Sequence, residues 1–270
     1  MKKSRHYLNR IKDIFSYNTN FVVLLSFFTL LSIAVFVAWY MLKYLTDYTI
    51  LAEFGGALTD VEKQAVTEKY IINRVLFGLL FVPVSVVTFV AYGGCKKLVV
   101  QKLFGNFGGY GIYFLGVKSN AKYSAAVGIV CALFYNVYNA LQLAGADVLW
   151  QYVVLILYLV VIFPVSMLFL SIGEIYHGNI WSAAKNSFVL YLVEWHLTCP
   201  LYLLFSAFVV VIFLFDTSAW VYVWFGVLFV YGFGVLQVLE CSYNLWLLDK
   251  YVNKTNYPEL YMKGLPEKDK

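Results

Sequence analysis

Apolar residues in this chain come in long uninterrupted runs, and polar residues gather in the gaps between them. Six runs stand out: Phe21 to Leu42, Val75 to Cys95, Tyr123 to Ala144, Val148 to Ile172, Phe188 to Phe215 and Ala219 to Leu248. A helix rises about 1.5 Å per residue, so roughly 20 apolar residues cross the hydrocarbon core of a bilayer. It also satisfies every backbone polar group within itself, which lipid cannot do. Runs without a helical or strand period argue against a soluble amphipathic fold. The pattern predicts an all-α polytopic membrane protein, a bundle of six transmembrane helices. Residues 1–20 and 249–270 form its tails, with an outer loop over 43–74 and an inner loop over 96–122.

Composition agrees, with 62% hydrophobic and 13% charged residues, against about 25% charged in a soluble domain. The net charge of +5 raises the question of a nucleic-acid partner, but the basic residues are scattered over short segments rather than gathered in one patch. They are better explained as topology signals. Lys96, Lys97, Lys102, Lys118 and Lys122 follow the second run, and Lys250, Lys254, Lys263, Lys268 and Lys270 follow the sixth. With the basic N-terminus, all fall on one side of a six-helix arrangement, which the positive-inside rule assigns to the cytoplasm. Both termini are then cytoplasmic, in a multi-pass membrane protein. The gaps near Asp147 and Asp216 have no basic residue, and the 43–74 loop mixes Lys43 and Arg74 with Asp47, Glu53, Asp60, Glu62 and Glu68. Trp39, Trp150 and Trp220 fall at expected outer ends and Trp181 and Trp246 at inner ends, where an indole prefers the headgroup region.

The first run exceeds the 7–15 apolar residues of a signal peptide and has no small-residue cleavage site. Cys95, Cys131, Cys199 and Cys241 lie in or beside apolar runs without CxxC spacing, and are expected as buried thiols. In the outer loop, Thr59-Asp60-Val61-Glu62 has the spacing of a capped helix start. The stretch from Phe104 to Gly116 interleaves five glycines with aromatics and predicts a loop along the inner leaflet. A phosphate-cradling loop would need an adjoining strand and helix start, and glycine patterns alone seldom mark one.

Pro83-Val84-Ser85 recurs as Pro164-Val165-Ser166, and Lys118-Ser119-Asn120 is echoed by Lys185-Asn186-Ser187. Duplication of a helical hairpin and chance both account for matches this short. On the same segments the chain resembles the YesL-like bacterial membrane proteins, a family without an assigned biochemical function. Phe114-Leu115-Gly116-Val117-Lys118-Ser119-Asn120-Ala121-Lys122 is similar to that family's F-x-x-F-K-x-N-F-K segment, with Ala121 where the family has an aromatic. The Pro83 run leading to Lys96-Lys97, Phe163-Pro164, Ala184-Lys185-Asn186 and His196 to Pro200 extend the likeness over most of Val75 to Leu248. The resemblance implies an accessory role in carbohydrate uptake, since such proteins are often encoded beside sugar ABC transporters. That implication is by association and not by chemistry.

Charged groups within apolar runs are costly, roughly 2.5–3.5 kcal/mol at mid-bilayer on insertion scales, and should face protein or water. Glu194, His196 and Glu240 are such groups. Gln237, Glu240 and Asn244 share one helical face, and Asn136, Asn139 and Gln142 share another. One reading places Glu194, His196, Glu240, Asn136, Asn139 and Asn244 around a polar cavity that binds a cation or substrate. The plainer reading, favoured here, is interhelical hydrogen bonding and snorkelling, because Glu194 and His196 are two residues apart and point nearly oppositely. No GxSxG, HExxH or P-loop motif occurs. Glu174 with His177 is too small a set for a metal site and reads as a solvated loop pair. No catalytic residue, metal or cofactor is expected. The expected partners are the lipid bilayer and either ABC-transporter subunits or a second copy, not nucleic acid. A small-solute or ion-coupled transporter and a membrane-embedded enzyme are the alternatives.

Overall fold

The structure is a computed structural model that describes residues 11–12, 14–15, 19–55, 58–214 and 232–263. All regular structure among these residues is helical. Seven helices follow in order: α1 Thr19–Glu53, α2 Asp60–Leu103, α3 Ile112–Leu143, α4 Val148–Tyr176, α5 Ile180–Val193, α6 Trp195–Leu214 and α7 Phe233–Leu248. A π-helical turn, Asp249–Asn253, and a last turn, Lys254–Asn256, continue α7.

Helices α1 to α4 are each long and apolar enough to cross a membrane. The pair α5 and α6 would make a fifth crossing, but it is bent by 101° at Glu194. The expected straight run from Phe188 to Phe215 is therefore two helices. Of the sixth expected span, Phe233 to Leu248 is helical and residues 219–231 lie outside the described residues, as do Trp220 and residues 1–10 and 264–270 of the two tails.

The loops are far shorter than expected. Helix α1 runs 35 residues to Glu53 and α2 starts at Asp60 and runs 44 residues. Most of the expected 43–74 loop is thus an antiparallel helical hairpin, and Asn73 Nδ2 donates to Asp47 Oδ1 across it at 2.9 Å. The start of α2 has the expected capping box: Thr59 N donates to Glu62 Oε2 at 2.8 Å, and Glu62 N to Thr59 Oγ1. Likewise α2 continues to Leu103 and α3 begins at Ile112, which reduces the 96–122 loop to residues 104–111. Lys96 and Lys97 are consequently helix-interior residues, not loop charges.

Packing sets the order of the bundle. Helix α3 lies along α2, and α2 along α1. A Cβ at Gly128 would meet the Val86 backbone at 2.6 Å, so only glycine lets α3 approach α2 this closely. Ser85 seals the crossing by donating to the Gly128 carbonyl at 2.8 Å. Pro83 sits within continuous α-helix, whereas Pro164 follows the π-helical turn Tyr158–Ile162, which absorbs its missing N–H. The two Pro-Val-Ser segments therefore have different local backbones. Trp39 is buried, its Nε1 donating to the Phe77 carbonyl at 3.2 Å, so it is a core residue and not the headgroup anchor expected. The four cysteines are free and buried. Phe27, Leu31, Leu79, Leu133 and Leu157 face outward, a distribution suited to hydrocarbon and prone to aggregation in water.

The start of α1, the ends of α2 and α4 and the starts of α3 and α5 meet at one end of the bundle. There the Phe21 and Phe107 rings lie 5.4 Å apart and Lys122 Nζ donates to the Gly178 carbonyl at 3.1 Å. Tyr176 also hydrogen-bonds Asn253. This is the lysine-rich end; Arg74 marks the other.

Candidate functional site: buried charges between the helices

Helix α2 carries adjacent lysines immediately before the apolar Leu98-Val99-Val100. Because the apolar sequence continues past them, the helix carries both into the bundle, and their side chains leave in different directions about 100° apart. Lys96 points between α4 and α7 and is completely buried. Its ammonium has three protons to place, and three acceptors are present: Glu240 Oε1 at 2.5 Å, Ser171 Oγ at 3.0 Å and the Met167 carbonyl at 3.1 Å.

Glu240 is equally well enclosed. Its Oε1 also accepts from Tyr202 OH and Asn244 Nδ2, both at 3.2 Å, and its Oε2 accepts from Tyr92 OH at 2.9 Å. Asn244 completes a closed set by donating to Ser171 Oγ at 2.8 Å and accepting from Tyr202 OH at 2.9 Å. Glu240 and Asn244 are one turn apart on α7, and Ser171 and Met167 one turn apart on α4. Tyr92 is one turn before Lys96 on α2, and Tyr202 comes from α6. Four helices are thereby joined through one neutral pair.

Lys97 points toward α3 and α4, where its Nζ lies 2.6 Å from Glu174 Oε1. Glu174 is 2% exposed, so the reading of a solvated loop carboxylate is corrected: it belongs to the last turns of α4. Neither of its oxygens has an aligned hydrogen bond from the protein. This contact is an ion pair without the directional bonds that surround Glu240. His177 follows as the left-handed C-cap of α4, with φ of 47°. Partial burial, and then the charges of Lys97 and Lys122, hold its imidazole below the usual histidine range.

Glu194 belongs to a different cluster. It occupies the break between α5 and α6 and accepts hydrogen bonds from Lys250 and Tyr251. The hydrogen bond from Lys250 to the carboxylate, and then one to Tyr251, raise the Lys250 ammonium above the usual lysine value. His196 Nε2 is 3.6 Å from Glu194 Oε2, but its side chain is 59% exposed and faces away from the bundle.

Asn136 and Asn139 lie toward the opposite end. Asn136 Nδ2 donates to the Gly78 and Ala132 carbonyls at 3.0 and 2.8 Å. Asn139 accepts from Arg74 Nη1 at 3.3 Å and donates to the Arg74 carbonyl at 3.1 Å, and Gln142 accepts from the same guanidinium at 3.2 Å. Arg74 also faces Asp47, which Lys43 reaches at 2.7 Å.

The six residues expected around one cavity thus occupy three places. Glu240 and Asn244 come together, Glu194 and His196 form a second group, and Asn136 and Asn139 a third. The expected inward orientation of the Gln237, Glu240 and Asn244 face holds, since all three are buried. Sequence reading missed Lys96, Tyr92, Tyr202, Ser171, Lys97 and Glu174. The signal available for Lys96 was weak: apolar Leu98-Val99-Val100 resume after the Lys96-Lys97 pair, as in a helix that continues past it. Among the described residues, no group of three or more His, Cys, Asp or Glu could hold a metal ion.

Comparison with family models, with curated proteins and with solved structures finds no match to this chain.

Proposed function

We propose that this chain is a non-catalytic component of the bacterial plasma membrane, a helical scaffold with both ends in the cytoplasm that assists carbohydrate uptake by an ABC transporter. The observation that supports a scaffold is the saturation of the Lys96–Glu240 pair. All three ammonium protons and both carboxylate oxygens have partners within the protein, as in a structural link between helices. A saturated network rigidifies a bundle and fixes which helices meet. The carbohydrate assignment rests on the likeness of the 114–122 segment to the YesL-like proteins, and is associational.

Isolation from native membranes in mild detergent tests the role. Co-purification of ABC-transporter subunits is the expected result, and recovery of this chain with no transporter subunit counts against it.

One observation favours a second reading, an ion-coupled transporter in its own right. A buried ionisable pair beside a helix broken at Glu194 is an arrangement that transporters use to hold ions and solutes. Solute flux through the purified chain in liposomes, abolished by Glu240→Gln at unchanged folding, would select this reading over the scaffold.

A further inference from the structure

Among the described residues, buried side-chain atoms without a partner in the protein occur on α7 at Gln237 and Ser242, close to Glu240 in sequence, and in a second set beside Lys97. Asn120 is fully buried, and neither its Oδ1 nor its Nδ2 has a partner in the protein. Ser124, one turn further along α3, is also fully buried, and its Oγ has none. Glu174 adds two carboxylate oxygens that accept no aligned hydrogen bond.

These groups share one seam. A Cβ at Gly93 on α2 would lie 2.6 Å from Ser124 Oγ and 3.3 Å from Asn120 Nδ2, so both side chains press on that glycine. Lys97 is one turn after Gly93 on the same face, and its stem packs at Gly116, one turn before Asn120. Gly173, the residue before Glu174, packs against the ring of Tyr123, which lies between Asn120 and Ser124 in sequence. The unpartnered amide and hydroxyl therefore line the junction of α2, α3 and α4, about a turn from Lys97 and its partner Glu174.

The chemistry of the set selects its ligand. Glu174 would repel an anion, and the ammonium of Lys97 would repel a bare cation. What remains must be neutral and must both donate and accept, since Asn120 presents one group of each kind. Water meets these conditions, and a buried water is held by two to four polar partners of this kind. Leaving buried polar groups without partners would cost the full desolvation of each one.

We propose that the seam between α2, α3 and α4 binds internal water, which hydrogen-bonds Asn120, Ser124 and Glu174 and keeps the Lys97–Glu174 pair hydrated. The site does not depend on which function the bundle serves. Radiolytic hydroxyl-radical footprinting of the full chain in ¹⁸O-labelled water, in lipid nanodiscs, reads it directly. Tyr123 is fully buried and beside the seam, so it takes up label from bound water in the native chain and loses that label in Asn120→Leu. An unlabelled Tyr123, or labelling unchanged in Asn120→Leu, overturns the proposal. Melting of Asn120→Leu supplies a second sign. If water satisfies the amide, the near-isosteric leucine strands that water and the melting temperature falls by several degrees. A melting temperature unchanged or raised means that the amide was unsatisfied, and also overturns the proposal.

Discussion

Lys96 and Lys97 are adjacent on one helix, and each meets a glutamate, yet the two ion pairs are built on different terms. The first has a partner for every ammonium proton and for both carboxylate oxygens, drawn from α2, α4, α6 and α7. The second is a single contact whose carboxylate has no aligned hydrogen bond from the protein. Burial is similar for the two glutamates, at 4% exposure for Glu240 and 2% for Glu174. What distinguishes them is how completely the surroundings replace water. The energetic consequence is asymmetric: a satisfied buried pair is costly to break by removing one partner, but not to replace as a whole.

The comparison is tested most severely at its tighter member. Lys96→Met leaves Glu240 charged and buried without its cation, and should destabilise the protein by about 3–5 kcal/mol. The double change Lys96→Met with Glu240→Leu removes both charges and should recover a large part of that loss. Unfolding titrations in detergent micelles measure both, and equal losses for the single and double variants would show that charge pairing is not what the network contributes. Lys97→Met should cost less, about 1–3 kcal/mol, because only one contact is lost and the water proposed for the seam still solvates Glu174. A loss at Lys97 as large as that at Lys96 would erase the distinction between the pairs.

Arg74 gives a reference at the other end of the bundle. Arg74→Met cuts hydrogen bonds to Asn139, Gln142 and Tyr70 in a partly exposed setting, where an expected loss of about 1–2 kcal/mol reflects ordinary polar bonds to a charged group. Measured against it, the Lys96 effect separates complete burial from hydrogen bonding as such.

The smallest effect is at His177, beside Lys97. Burial and the neighbouring lysines depress its folded-state value, so the folded protein binds fewer protons than the unfolded chain as pH falls through the histidine range. The stabilisation from neutral His177 is present above its unfolded value, about 6.5, and is lost as pH falls below it. His177→Gly should remove that pH dependence. It should also stabilise the protein by about 0.5–1 kcal/mol at neutral pH, because glycine adopts the left-handed C-cap without a Cβ penalty. Melting temperatures of both proteins at pH 5 and pH 8 check it, and a parallel fall in the two would assign the acid sensitivity elsewhere.

The helical architecture was legible because its causes are local. The Thr59–Glu62 cap is written within four residues, and the inward faces of α3 and α7 follow from a 100° step along each helix. Boundaries were less legible, since apolar residues stop where lipid stops while a helix goes on as long as its hydrogen bonds are shielded. That is why α1 and α2 overran the expected 43–74 loop. Lys96 illustrates the remaining gap: in sequence it resembles any lysine at the end of a membrane span, and its partner is 144 residues away.

Sequence alone determined that this chain is a set of long apolar helices suited to hydrocarbon, that its cysteines are buried thiols, and that certain polar residues turn inward. Each follows from side-chain transfer energy and helical periodicity, which need no knowledge of a neighbour. Only the tertiary structure decided which carboxylate meets which lysine, where the chain breaks at Glu194, and that the six suspected residues occupy three places. Those outcomes depend on which helices lie side by side, and buried charges are stabilised only by groups that packing brings within hydrogen-bond reach.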